Sequence, residues 1–289
     1  RRTTYQIRGR AKRHPLCLSS RERRGAKRRR EGRTFRDIRG QRLPLCPSGS
    51  SSKGRRGKGG LGRGEFAGVV VLEARDLDRG SRADEAAALT EPLACVVQGI
   101  QDLQLKSEER VLVMGAGPIG LFAVALAVEA GCEVTVAGRG EARLALARRL
   151  GASTVVDMEG REDLESAIRA TNPAAGFDAV FEAVGKPAAW EAATRLVRKG
   201  GRVNFFGGCP AGTSVTLDTG LLHYSNLTLL ASFHHTPRSI RAALDLIERG
   251  VIRVGDFVDG EASLDELPEL FRSMAQGNRA VKTCIRPDR

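Results

Sequence analysis

From Glu109 onward, short apolar runs alternate with longer helical stretches. Glu109–Met114 (ERVLVM), Cys132–Ala137 (CEVTVA), Ser153–Val156, Phe177–Glu182 (FDAVFE), Gly201–Phe206 (GRVNFF) and Leu227–Ser232 have the length and content of buried strands. Between them, Gly117–Ala130, Glu141–Leu150, Arg161–Ala170 and Lys186–Val197 read as helices, and Arg238–Arg249 follows as another after Pro237. Strand–helix alternation with short connections requires parallel strands joined by right-handed crossovers. The pattern therefore predicts an α/β fold, a doubly wound parallel sheet of the Rossmann type.

Residues 1–60 do not share this texture. They show no sustained period and carry 21 of the 47 Lys and Arg against three acids, Glu22, Glu31 and Asp37. The remaining residues carry 26 bases against 31 acids, so the net charge of +13 belongs to the N-terminal segment alone. Such a composition buries too little apolar surface to offset chain entropy, and 1–60 reads as a disordered basic segment. A nucleic-acid-binding arm is the alternative, because basic runs release counterions from phosphates. Only Tyr5 and Phe35 interleave the charges and no binding module is recognisable, so nucleic acid is not the expected partner. No apolar run approaches the roughly 20 residues that span a bilayer, and no apolar stretch follows the first charges as a secretory signal would. The six cysteines are scattered without metal-ligand spacing, so reduced thiols and a cytoplasmic location are expected.

The chemistry concentrates after the first strand. Gly115-Ala116-Gly117-Pro118-Ile119-Gly120 is a GxGxxG motif that leaves a strand and opens a helix, the setting in which the motif signifies dinucleotide binding. Gly115 permits the tight turn, Gly117 lets a pyrophosphate approach the backbone, and Gly120 lets helix pack on strand. The next strand ends Val136-Ala137-Gly138-Arg139, where an NAD site would carry an acid for the ribose 2′-OH. The acid is absent, Gly138 leaves room, and Arg139 and Arg143 can pair with a 2′-phosphate, so NADP is favoured over NAD. Glu182-Ala183-Val184-Gly185 and Phe206-Gly207-Gly208 close the fourth and fifth strands, and small residues there would seat a nicotinamide ribose. His234 and His235, as neighbours on a regular strand, would point to opposite faces and could not readily share an ion. Trp190 reads as packing.

Taken together, residues 66–287 resemble the medium-chain dehydrogenase/reductase superfamily, nearest its sorbitol/threonine dehydrogenase-like zinc branch. The resemblance rests on ordered blocks: Glu85–Ala87 with Leu89–Ala94, Gly115–Gly120 (GAGPIG), Arg143–Ala152, Phe177–Gly185, Ser263–Met274 and Ala280–Pro287. It implies a hydride-transferring oxidoreductase acting on an alcohol (a polyol, sugar or amino alcohol) or the matching ketone, with zinc polarising the substrate oxygen. It also implies a dinucleotide-binding domain over 93–250, with 61–92 and 251–289 belonging to a GroES-like substrate domain. By the same resemblance Lys282 lies near the pyrophosphate, alongside Pro118, Ile119, Ala183 and Val184 in the cofactor site, and Glu91 lies beside the metal. A homo-oligomer built on the sheet edge near Leu227–Phe233 is implied as well.

One departure stands out. Where the family supplies a Cys and a Gly-His-Glu to zinc, residues 1–60 contain no Gly-His-Glu, so the zinc site is expected to be incomplete and the chain truncated. Without a partner domain, Pro92–Ile100 and the last strand would leave apolar surface exposed. Two alternatives stay open: a non-catalytic dinucleotide-binding protein with a basic arm, and a zinc-independent reductase of the same superfamily.

Overall fold

The computed structural model describes residues 83–161, 163–171, 176–277 and 280–286. The readings of residues 1–60 and 61–82, with His14, Cys17 and Cys46, lie outside the described residues. Among the described residues the first element is helix α1 (Ala83–Leu103), then β1 (Arg110–Met114), α2 (Pro118–Glu129), β2 (Glu133–Gly138), α3 (Glu141–Arg149) and β3 (Thr154–Asp157). The second half of the wind is α4 (Leu164–Arg169), β4 (Phe177–Glu182), α5 (Pro187–Leu196), β5 (Val197–Phe205), α6 (Thr219–Tyr224) and β6 (Thr228–Leu230). After it come α7 (Pro237–Glu248), α8 (Val254–Phe257), β7 (Gly260–Ser263), α9 (Leu267–Ala275) and β8 (Thr283–Arg286). Six strands form one parallel sheet in the order β3-β2-β1-β4-β5-β6, and β7 pairs with β8 in a second, two-stranded sheet. This is the expected Rossmann-type α/β fold, with its switch point between β1 and β4, where ligand crevices form in such sheets.

Both faces of the large sheet are covered, which explains why the strands read as near-continuous apolar runs. On one face α1, α2 and α7 pack around Leu93, Val97, Phe122, Val124 and Ile240; on the other, α4 and α5 cover Leu112, Met114, Phe177 and Val203. Helix α2 is apolar on every side because it lies between the sheet and neighbouring helices, and Gly120–Ala127 are all buried.

Helix α1 corrects the expectation of exposed apolar surface. Leu93, Ala94, Val96, Val97 and Ile100 are at most 3% exposed, packed within the same core as α2 and α7. Sequence periodicity did not announce this helix, because Pro92 sits inside it. A proline in a helix interior costs about 3 kcal/mol. Each large aliphatic side chain withdrawn from water returns about 1.5–3 kcal/mol, and Leu89, Leu93, Val96, Val97 and Ile100 together outweigh the proline.

Strand ends moved where polar contacts intervene. Strand β5 starts at Val197 instead of Gly201, because Val197 pairs with Phe177 ahead of an irregularity in register. Helix α9 starts at Leu267, since the Ser263 backbone N–H and hydroxyl are both bonded to the Glu266 carboxylate, at 2.7 and 2.9 Å. Strand β6 stops at Leu230 instead of continuing to Ser232, and what diverts the chain there also shapes the site.

Candidate active site

The β1–α2 turn is set by its glycines. Gly115 adopts φ +106°, a conformation that favours glycine, and its N–H donates to the Ala137 carbonyl at 2.7 Å. A Cβ on Gly120 would lie 1.8 Å from the Gly115 carbonyl oxygen, so helix and turn are in direct backbone contact. A Cβ on Gly117 would meet nothing within 4 Å: the turn is open on that side. Gly117 is the N-cap of α2 without a side-chain cap, and Pro118, which has no N–H to satisfy, opens the helix. Ala183, at the end of β4, donates its N–H to the Met114 carbonyl at 2.9 Å, and Val184 beside it is 41% exposed, an apolar side chain at the switch point.

At the end of β2, Gly138 is buried, and the space its missing side chain leaves is filled from within: a Cβ would lie 2.3 Å from that of Ala116. The room expected there for a ligand is thus used by the glycine turn. Arg139 is exposed, and its Nε donates to the Met158 carbonyl at 3.1 Å. Arg143, half-buried, donates to the Ala280 carbonyl at 2.7 Å and so ties α3 to the approach of β8. Lys282 lines a separate groove of about 540 Å³ with Asp84, Glu85 and Arg286, between the start of α1 and β8.

The ends of β4 and β5 are bound together by a buried acid whose role the sequence reading missed. Glu182 Oε1 accepts from the backbone N–H groups of Val184 and Gly185, at 2.7 and 3.0 Å, and its own carbonyl accepts from Phe206 and Gly207. Burial pushes the Glu182 carboxyl above its ordinary range, and these N–H donors only partly oppose it. Trp190 packs as expected, stacked on Phe205 with ring centroids 4.2 Å apart, and donates from Nε1 to the Gly207 carbonyl. Its indole, with Ile119, Phe206 and Cys209, lines a cleft of about 690 Å³ that reaches from the glycine turn to Glu91, Cys95 and His234.

The far rim of the cleft is built by contacts across long stretches of chain. Asn204, fully buried in β5, donates to the Gly99 carbonyl of α1 and to Ser232 Oγ, both at 2.9 Å. Ser232 in turn donates to Asp102, whose other carboxylate oxygen accepts from Gln98 at 2.8 Å. Four residues on, Thr236 caps α7 in a capping box with Ser239. Between these anchors His234 takes the left-handed conformation, φ +69°. The premise that put the two histidines on opposite faces fails, because neither lies in a strand. Ligand-type atoms of Glu91, His234 and His235 all lie within 4.8 Å of one another. His235 Nε2 is 3.7 Å from Glu91 Oε1, and Cys95 Sγ donates to the same oxygen at 3.4 Å. The buried Nδ1 of His235 has no hydrogen-bond partner among the described residues. Burial, then the Glu91 carboxylate, raises the Cys95 thiol to about 11, so it is protonated at neutral pH.

Residues 118–249 match the family model described as zinc-binding dehydrogenase. The chain is 32% identical over 249 residues to D-arabitol-phosphate dehydrogenase of Enterococcus avium, covering 83% of this chain and 67% of that one. It is 35% identical over 214 residues to D-altritol 5-dehydrogenase of Agrobacterium fabrum, covering 72% and 61%. A crystal structure from Sinorhizobium meliloti, titled as a zinc-binding dehydrogenase bound to NADP, superposes with a TM-score of 0.64 at 31% identity, covering 73% of this chain and 60% of that one. Apart from the Enterococcus enzyme, these proteins are spanned for less than two thirds of their length.

Proposed function

Because the chain belongs to the zinc-binding medium-chain dehydrogenase family, we propose that it binds a nicotinamide dinucleotide at the β1–α2 turn and transfers hydride between it and a polyol or sugar alcohol. The observation that carries this reading is the open, uncapped turn at Gly117, set at the sheet's switch point and facing a largely apolar cleft. The N-terminal turn of α2 presents its N–H groups and the positive end of its dipole to the diphosphate. Ile119 lines the cleft beside that turn, where the aromatic walls of Trp190 and Phe206 would exclude water from the reacting carbon. Bound there, the dinucleotide supplies the hydride acceptor or donor, with zinc as Lewis acid where it is held.

NADP is the proposed cofactor, with NAD as the alternative. Arg139 lies exposed at the end of β2, where a guanidinium can pair with a 2′-phosphate, and the Sinorhizobium relative is titled as bound to NADP. The polyol or sugar-alcohol class follows the relatives that act on D-arabitol phosphate and D-altritol. Strand β6 lies at the sheet's edge, and pairing of two copies across it gives the proposed homodimer.

Thermal unfolding with NADPH and with NADH at equal concentration tests the cofactor. A ligand at 100 times its Kd stabilises the folded state by about 2.7 kcal/mol, so a larger shift with NADPH is expected. A larger shift with NADH overturns the 2′-phosphate assignment, and no shift with either overturns the reading. Oxidation of pentitols, hexitols and their phosphates, followed as reduced cofactor, tests the substrate class.

A further inference from the structure

We infer that Glu182 is a positioning residue for the nicotinamide end of the dinucleotide: its buried carboxyl fixes the turn after β4 and locks that turn to the end of β5. The inference rests on the dinucleotide reading above, and the residue acts through the backbone that it holds.

The carboxyl reaches forward along its own chain. Oε1 takes the N–H groups of Val184 and Gly185, at 2.7 and 3.0 Å, two donors that have left the ladder of β4. Oε2 points at the neighbouring strand end, since a Cβ on Gly207 would lie 2.9 Å from it. The Glu182 carbonyl meanwhile accepts from Phe206 and Gly207, so side chain and main chain of one residue grip both strand ends. Gly185 takes φ +70°, and a Cβ there would lie 2.6 Å from the Gly208 carbonyl oxygen. The two turns are thus in backbone contact, and a shift of one displaces the other.

What they form together is a shelf beside the glycine turn. A Cβ on Gly115 would lie 3.1 Å from the Ala183 carbonyl oxygen and 3.3 Å from Val184 Cγ2. Val184 is exposed, and a Cβ on Gly208 would meet nothing within 4 Å, so the shelf is open where Gly208 lines the cleft. A dinucleotide whose diphosphate sits at Gly117 would carry its nicotinamide end across this shelf into the cleft.

Stability does not account for an acid at this position. Glu182 is fully buried, and its Oε2 has no hydrogen-bond partner among the described residues. Burial lifts the carboxyl above its ordinary range, and no cation among the described residues opposes it. A buried carboxyl with one oxygen unpaired costs stability in either protonation state. Acids perturbed in this way beside a cleft concentrate at functional sites.

Calorimetric titration of the full chain with NADPH and with 2′-phospho-ADP-ribose, which lacks the nicotinamide, is the test; NADH and ADP-ribose are run alongside. Glu182→Ala should weaken dinucleotide binding by about tenfold and leave binding of the fragment unchanged. Glu182→Gln keeps the Oε1 acceptor and should restore dinucleotide binding to within about threefold. The fluorescence of the bound reduced nicotinamide should change in the Ala variant and return in the Gln variant. Far-UV circular dichroism checks each fold. If the Ala variant does not fold, Glu182→Asp, which withdraws the carboxyl from both N–H groups, takes its place with the same expectation. Equal losses for dinucleotide and fragment, unchanged binding of both, or a Gln variant no better than the Ala variant overturns the inference and leaves the dinucleotide reading standing. No binding of any of these ligands by the unmutated chain overturns the dinucleotide reading, and the inference with it.

Discussion

The turn after β1 is held by its own backbone, whereas the segment after β6 is held by side chains that meet from far apart in the chain. In the first, Gly115 and Gly120 come within contact distance of each other, and the turn's outside tie is a backbone bond from the Gly115 N–H to the Ala137 carbonyl. In the second, Ser232 depends on Asn204 and Asp102, 28 and 130 residues away. Both segments leave the carboxyl edge of one sheet and border one cleft. Steric fit within a few residues makes a rigid turn whose geometry cannot be traded. A remote polar network makes an adjustable one, in which each contact can be removed singly.

The largest expected effect falls on the self-contained turn. Gly120→Ala places a methyl 1.8 Å from a backbone oxygen, and neither partner can yield cheaply. A destabilisation of about 3 kcal/mol is expected, the upper part of the overpacking range, together with loss of the dinucleotide-induced shift in melting temperature. An undiminished shift would show that the turn can reshape and would erase the contrast.

Asn204→Leu comes next, at about 2 kcal/mol, because the buried Gly99 carbonyl loses its side-chain donor and Ser232 loses one anchor. Denaturant unfolding gives the magnitude. Dinucleotide binding should survive, and its loss would mean that the two segments are not independently held. Thr236→Ala removes the cap of α7 and should lower stability by about 1 kcal/mol, again with dinucleotide binding intact.

The smallest effect serves as a control from the opposite edge of the sheet. Burial alone would raise the Asp178 carboxyl, but the Arg110 backbone N–H and the Arg198 guanidinium outweigh it and hold the group below its ordinary value. A carboxyl lowered in the folded state contributes stability above its unfolded pKa and loses it as pH falls through the folded one. Asp178→Asn should therefore cost under about 1 kcal/mol near neutrality for a partly exposed pair. The variant should also flatten the fall in melting temperature between pH 4 and more acidic values. An unchanged acid slope would remove Asp178 from the list of braces.

The sheet and the glycine turn were legible in the sequence because their determinants are local. GAGPIG fixes a turn within six residues, and β4 was placed to the residue because FDAVFE is a short, largely apolar run between Gly176 and the Ala183–Gly185 turn. Helix α1 was not legible, since Pro92 argues against a helix unless the burial of Leu93 and Val97 against α7 is known. The meeting of Glu91 with His234 and His235 spans more than 140 residues. The one available signal was His-His immediately before Thr-Pro, a helix start that ends any strand. Gly138 shows the converse: glycine there reads as room for a ligand, whereas in the structure Ala116 fills the space.

The packing of α1 on α7 also orders events during synthesis. Residues 83–103 leave the ribosome early, yet their apolar face is covered by residues 237–248. Until that late segment emerges, α1 offers Leu89, Val96 and Ile100 to solvent and to any other nascent chain. Closure joins contacts more than 130 residues apart, which favours slow folding. Emergence of α7, not the first appearance of the sheet, is thus the moment at which this protein ceases to need protection from its neighbours.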